Sequence, residues 1–479
     1  SWVKVDDYTF EVETTNPAYD FAKTMGVPTW GSRFVLLPKH VFETYEDACT
    51  DPATDSPYLG PYVINSFDSN GFWQLWELRE DWERSAWADL DTDGFMPKYV
   101  LWKDFGPEEV GILSFVQNDF DATMRITTET IAEAKNRNEH IATFSDTLPY
   151  HSMDDAYTWG LMINMQKSPY DLVAVRWALA LSIDIKSLAA NVTNGELILN
   201  PLPMSDKPAH AMYIDPLLPW LEDFALEDGY KPFDPAVGAE LAEALDALGI
   251  EGIPEDTRDF GIGWWKYDLE EVASLLESEG FTRNGDGNWV LPNGEEWVLE
   301  LVIDNSGTLQ RLGYALADQW RAAGIQVNVR AVDNAEKIEV QDTNALREVQ
   351  LTWANGNFGS SDWLEAWREM QPGYIKPGDS METLAGKRYQ WDNETVYALV
   401  EESLSAPLDT EEFYENGRLI MQEFVKDMAW INLSNIAAVM ATNEYYWSGF
   451  PTADNYYAVP YYWWSSAKMI VANIQPTGR

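Results

Sequence analysis

Between Trp297 and Ala331 the hydrophobic period changes twice. WVLELVI alternates as a strand over 297–303, LQRLGYALADQWRAAG over 309–324 repeats at helical spacing, and IQVNVRA over 325–331 alternates again. Strand, helix and strand in immediate succession must pack together to cover their apolar faces, which is the unit of an α/β lobe. The residues before it fit the same class. DLEEVASLLESEG is a helix N-capped by Asp268 and closed by Gly280, DPAVGAELAEALDALG is another running to Gly249, and Asn293-Gly294 marks a hairpin. Tyr170 to Asn194 sets Val173, Trp177, Leu181 and Leu188 at helical spacing, as an amphipathic helix pair or one broken helix.

Charge removes several function classes. Against 79 Asp and Glu stand 32 Lys and Arg, a net charge of −47, so a basic nucleic-acid surface is excluded. The acidic residues are dispersed, as on a solvated face. The chain is 46% hydrophobic with no apolar run of about 18 residues, which implies a folded protein that does not span a membrane. Its 479 residues allow two to four domains at about 150 residues each. One cysteine, Cys49, cannot form an internal disulfide and reads as an inert thiol. His40, His140, His151 and His210 are scattered, without metal-ligand spacing. No phosphate cradle or serine-hydrolase elbow occurs, so neither cofactor nor metal is expected. The first residues show no signal peptide; it has been removed, or the sequence begins inside a longer protein.

The anomaly is aromatic: 23 Trp, 23 Tyr and 19 Phe make 14% of the chain. Three blocks then stand in a telling order: GPYVINSF from Gly60, with WELREDWE after it; SPYDLVAVRWALALSID, running from Ser168 through Arg176 to Asp184; and KYDLEEVASLLESEGFTRNGDGNWVLPNGEEWVLEL. Together they resemble the oligopeptide- and dipeptide-binding solute receptors of ABC importers, over nearly the whole chain. The resemblance implies a two-lobed periplasmic-binding-protein type II fold, the Venus flytrap, with paired hinge crossovers near Leu161 to Asn164 and Trp430 to Ser434. It implies one lobe from 1–161 with a return over 433–479, the other over 162–432, and solute held between them. Family segments usually found before the WVKVDDYTFEVE strand are missing here. No catalysis is implied; the partners are an ABC permease and a solute, at the periplasmic or outer face of the cytoplasmic membrane. Membrane contact would come only through the permease or a lipid anchor.

Two solutes fit. In peptide-binding relatives an acidic residue shortly after a tryptophan holds the ammonium, and Asp362 stands in the comparable region. That region, Trp353-Ala-Asn355-Gly-Asn357-Phe358-Gly-Ser-Ser-Asp362-Trp363, is stretched by amides and glycines that suit sugar hydroxyls and close backbone approach. Indole faces match the C–H face of a pyranose. The tail from Tyr445 to Trp464, with Trp447, is similar to that of relatives binding β-linked gluco-, manno- or chito-oligosaccharides, although Tyr461 to Trp464 also suit a sheet edge. Trp159 and Trp30 are further candidates for the cleft, while Trp264-Trp265 read as core. A glycoside hydrolase is the rival class; it needs two carboxylates about 5 to 9.5 Å apart, such as Asp362 with Glu365 or Asp154 with Asp155.

Overall fold

A computed structural model describes residues 2–14, 19, 38–45, 59–89, 96–106, 108–124, 126–206, 210–305, 307–342, 347–356, 391–404, 406–458 and 464–479. Contacts divide the chain into two units. The larger takes Ser1–Ala22, Thr147–Pro149 and Asp154–Ala437; the smaller takes Lys23–Asp146, Tyr150–Met153 and Ala438–Arg479. Two long strands, His151–Ile163 and Ile431–Asn443, each contribute residues to both units. The change of unit falls at Met153/Asp154 in the first, ahead of Leu161, and at Ala437/Ala438 in the second, beyond Ser434.

The strand–helix–strand unit expected from the hydrophobic period is present in the larger unit. Val298–Asp304 pairs in parallel with Gln326–Val332 on one side and Val349–Gly356 on the other, and Gly307–Ala322 is the connecting helix. A strand flanked on both edges and covered on its faces should be apolar almost throughout, and Leu299, Leu301, Val302 and Ile303 are all buried. The helix comes close enough that a Cβ on Gly313 would lie 2.4 Å from Ile303 Cγ2. Val349–Gly356 then pairs antiparallel with His151–Ile163, Leu351 facing Leu161.

The expected helix signals are realised. Asp268 accepts bonds from the Glu270 and Glu271 amides at the start of Leu269–Ser278, and Gly280 takes φ +85° just past its end. The Tyr170–Asn194 stretch is a broken pair, Val173–Leu181 and Ile185–Asn191, restarted by an Asp184 side chain that accepts from Ser187 N. Much of the aromatic excess is core: Trp177, Trp264, Trp289, Trp297, Trp320 and Trp430 are fully buried.

Arg176, part of the distinctive SPYD-to-Arg block, has a structural task. Its side chain is buried and donates to the carbonyls of Asp427 and Met428 at the end of helix Glu411–Asp427, and to the Tyr170 carbonyl. Helix ends leave carbonyls without amide partners, and a guanidinium fork satisfies several at once. Burial pulls its pKa down to about 10, so it stays charged at neutral pH.

In the smaller unit, Tyr62–Phe67, Trp73–Leu78 and Tyr99–Lys103 form an antiparallel three-stranded sheet. Separately, the C-terminal part of Ile431–Asn443 is flanked by Ala122–Met124 and Ile141–Thr143. Met440, Phe450, Ala458, Ile470 and Ile474 form an apolar cluster. Among the described residues, no helix is long and apolar enough to cross a membrane.

Two measurements check this packing. Gly261 has φ +111° and a Cβ there would sit 2.0 Å from the Leu199 carbonyl oxygen, so Gly261→Ala should cost about 3 kcal/mol or more. Gly280→Ala, with its nearest neighbour at 3.7 Å, should cost only about 1 kcal/mol in the same urea titration; equal costs would refute the clash. Arg176→Lys loses the fork and should cost about 2–4 kcal/mol, and unchanged stability would remove the helix-end role.

Candidate functional site

The strand Val349–Gly356 carries the first residues of the amide- and glycine-rich stretch, and its register decides what they face. Trp353 stands directly opposite Trp159 of His151–Ile163; the register then shifts before Gly356, which pairs with Tyr157. Directly opposed residues of an antiparallel pair share a sheet face, so two of the expected site residues form a cross-strand indole pair. The shift begins where β-branched and leucine residues give way to Ala354-Asn355-Gly356, types that hold a ladder poorly.

Trp353 is half-buried and Trp159 is buried at 7% exposure, with an indole Nε1 that has no partner among the described residues. A buried donor without an acceptor is unfavourable by about 1–3 kcal/mol and calls for a polar atom nearby. The pair therefore sets a half-buried indole opposite a buried one whose N–H has no acceptor among the described residues.

Strand alternation puts Thr158, Gly160 and Thr352 on the reverse face, where a buried uncharged network fixes the register. Thr158 Oγ1 donates to Asn432 Oδ1 at 2.6 Å, while Asn432 Nδ2 donates to the Asn200 and Leu202 carbonyls. Asn200 Nδ2 donates to Asn435 Oδ1, and Trp264 Nε1 to the Asn432 carbonyl at 2.9 Å. Gly160 is required at the junction, since a Cβ would meet the Ile431 carbonyl at 3.0 Å and Ala354 Cβ at 3.1 Å. Sequence reasoning missed this network. Its trace was the Asn432 and Ser434 alternation inside INLSNIAAV, polar residues at period two in an otherwise apolar strand.

The other expected site residues fall elsewhere. Asn355 lies on the Val349–Gly356 strand, and its side chain is outside the described residues, as are Trp30, Asn357, Phe358, Asp362 and Trp363. Trp447 belongs to the smaller unit, where it packs against the apolar cluster around Phe450 and lines a cavity of about 1170 Å³. Of the carboxylates named for a hydrolase, Asp362 and Glu365 and the side chains of Asp154 and Asp155 also lie outside the description. Two carboxyls are strongly perturbed: burial, then a bond with Asp228, pushes Glu271 up to about 7, and burial pushes Asp121 up to about 6. Neither belongs to the strands of the indole pair. Among the described residues no cluster of His, Cys, Asp or Glu could hold a metal.

Known proteins share this architecture. A periplasmic oligopeptide-binding protein of Thermotoga maritima, solved with mannohexaose bound, matches with a TM-score of 0.72 at 18% identity, over 100% of this chain and 79% of its own. AppA of Bacillus subtilis, in complex with a nonapeptide, matches with a TM-score of 0.64 at 15% identity, over 100% and 78%. Haemophilus influenzae OppA, complexed with RPPGFSPFR, gives 0.62 at 16%, over 99% and 74%. No protein of curated function matches by sequence. These likenesses identify the α/β fold as the two-lobed periplasmic-binding type. The middle region of the bacterial extracellular solute-binding proteins, family 5, matches residues 1–374, and the chain belongs to that family.

Proposed function

We propose that this solute-binding protein serves an ABC importer as the receptor for a β-linked oligosaccharide of the gluco-, manno- or chito- type. The Trp159–Trp353 pair carries the reading: two indoles on one sheet face, with a spare N–H, suit a guest that has an apolar C–H face and oxygen acceptors. The network behind them is uncharged, so nothing in it demands a charged guest. The mannohexaose bound in the Thermotoga structure supports an oligosaccharide as the solute. Asn355, Asn357, Phe358, Trp363, Trp447 and Trp30 are proposed as further contacts. Each stacked ring contributes about 1 kcal/mol beyond area burial, so several rings with hydrogen bonds bring affinity toward the micromolar range.

A second reading stays within the family. The Bacillus and Haemophilus structures hold peptides, and for a peptide Asp362 would be the ammonium partner. Neither reading involves bond cleavage; binding favours one conformation of the receptor, and the permease reads that conformation.

Calorimetry with manno- and cello-hexaose beside a mixed peptide pool separates the two. For a sugar receptor, Trp353→Ala weakens hexaose binding about tenfold or more with unchanged melting temperature, and Asp362→Asn changes it less than about threefold. For a peptide receptor, hexaoses give no heat and Asp362→Asn abolishes peptide binding. Unchanged affinity in Trp353→Ala would take the indole pair out of the site, and release of shorter sugars during incubation would restore the hydrolase.

A further inference from the structure

Asn435 is fully buried, and its Nδ2, like Trp159 Nε1, has no hydrogen-bond partner among the described residues. Its neighbours decide which end of that amide is left over. The backbone N–H of Leu202 donates to Asn200 Oδ1 at 2.9 Å, so the other end of the Asn200 amide is its NH₂ group. That group donates to the Met204 carbonyl and to Asn435 Oδ1, each at 2.7 Å. Asn435 therefore has its oxygen committed and its NH₂ spare. A backbone N–H can only donate, so the order of the relay cannot be reversed by turning either amide over.

The spare group lies on the side of the sheet that carries the indole pair. Ile431–Asn443 flanks His151–Ile163 on the edge away from Val349–Gly356. Asn432 bonds Thr158 and would meet a Cβ on Gly160 at 3.3 Å, which sets it on the reverse face. Alternation then returns Leu433 and Asn435 to the face of Trp159 and Trp353. The bond to Asn200 agrees, because Asn200 stands beside Leu433, whose carbonyl accepts its N–H, and so is a diagonal neighbour of Asn435. Three residues separate Asn435 from Asn432, about 10 Å along a strand, a span that suits an extended solute. Trp159, Trp353 and Asn435 all belong to the larger unit.

An indole N–H and an amide NH₂ whose oxygen is already bonded are both donors only. An aliphatic guest would leave the two unmet, and an ammonium, itself only a donor, would oppose them. Hydroxyl, ring and carbonyl oxygens accept, and a hydrogen bond shut away from water is the stronger for it. Taking the Trp159–Trp353 pair as the binding site, we propose that Asn435 is a further solute-binding residue, its Nδ2 donating to an oxygen of the solute alongside Trp159 Nε1. This part of the site selects acceptor oxygens and rejects a cationic group.

Calorimetry and thermal unfolding of the 479-residue protein test the assignment, with manno-hexaose, cello-hexaose and the mixed peptide pool as probes. Asn435→Leu is close in volume and removes the donor, while Asn200 Nδ2 keeps the Met204 carbonyl. Its melting temperature without solute should stay within about 3 °C of the wild type. Binding of whichever probe the wild type takes should weaken about tenfold or more, and Asn435→Ala, which adds no bulk, should weaken it as far. If Trp353→Ala loses binding while both Asn435 variants bind as the wild type does, the indole site stands and the Asn435 contact is overturned, its Nδ2 going to a buried water. A fall of about 10 °C or more in the solute-free melting temperature of both variants also overturns it, since Asn435 would then be a structural residue. Heat from neither hexaose nor peptide would remove both solute readings and this contact with them.

Discussion

Asn432 sets the geometry that the rest of the larger unit follows. A primary amide taken out of water is costly unless its donors and acceptor are all met, and here Asn432 bonds Thr158 on one neighbouring segment and the Asn200 and Leu202 carbonyls on another. Because each bond has one workable register, the amide fixes where Ile431–Asn443 lies against both. A one-residue slip would turn every side chain of a strand to the other face, and an unsatisfied buried amide opposes such a slip more sharply than apolar contact does. The indole pair benefits. Once Thr158 and Gly160 are held on the reverse face, Trp159 has no choice of side, and Trp353 follows from the ladder.

Local chemistry was readable in the sequence and long-range chemistry was not. The Asp268 cap, the Gly280 stop, the break between Leu181 and Ile185 and the strand–helix–strand unit all depend on residues within a few positions of one another. The Asn432 network joins residues 168 to 274 positions apart, so no window of sequence contains it. Tryptophan divides along the same line. Trp264 and Trp265 read correctly as core, and Trp159 with Trp353 came together, but an indole at a site and an indole in a core have the same composition and spacing. Trp447 shows the difficulty: its neighbours Tyr446, Ser448 and Gly449 suit a binding loop, while its own side chain packs against the apolar cluster that includes Phe450.

Arg176 gives the distinctive SPYD-to-Arg block a structural task. Its guanidinium ties the turn at Tyr170 to the end of helix Glu411–Asp427, and Asp427 in turn accepts from Trp391 Nε1 and Asn393 Nδ2. A buried cation is tolerated only where carbonyls or carboxylates surround it, so its neighbours are constrained along with it. A block of sequence can thus mark a family through a structural junction.

The net charge of −47 and the uncharged network around Asn432 act over different ranges. The acidic surface produces a field that draws cations, repels anions and is screened beyond about 8 Å at physiological salt. A neutral oligosaccharide gains nothing from that field, so under the proposed sugar reading its recognition would fall on short-range contacts: ring faces, hydroxyl geometry and the Trp159 indole donor, unmet among the described residues. A cationic peptide, in contrast, would be concentrated near the surface before any specific contact formed, and its association rate would fall steeply with added salt. The two solute classes therefore differ in the range of force that would bring them in as well as in the atoms they would touch, and the strongly acidic composition is compatible with either.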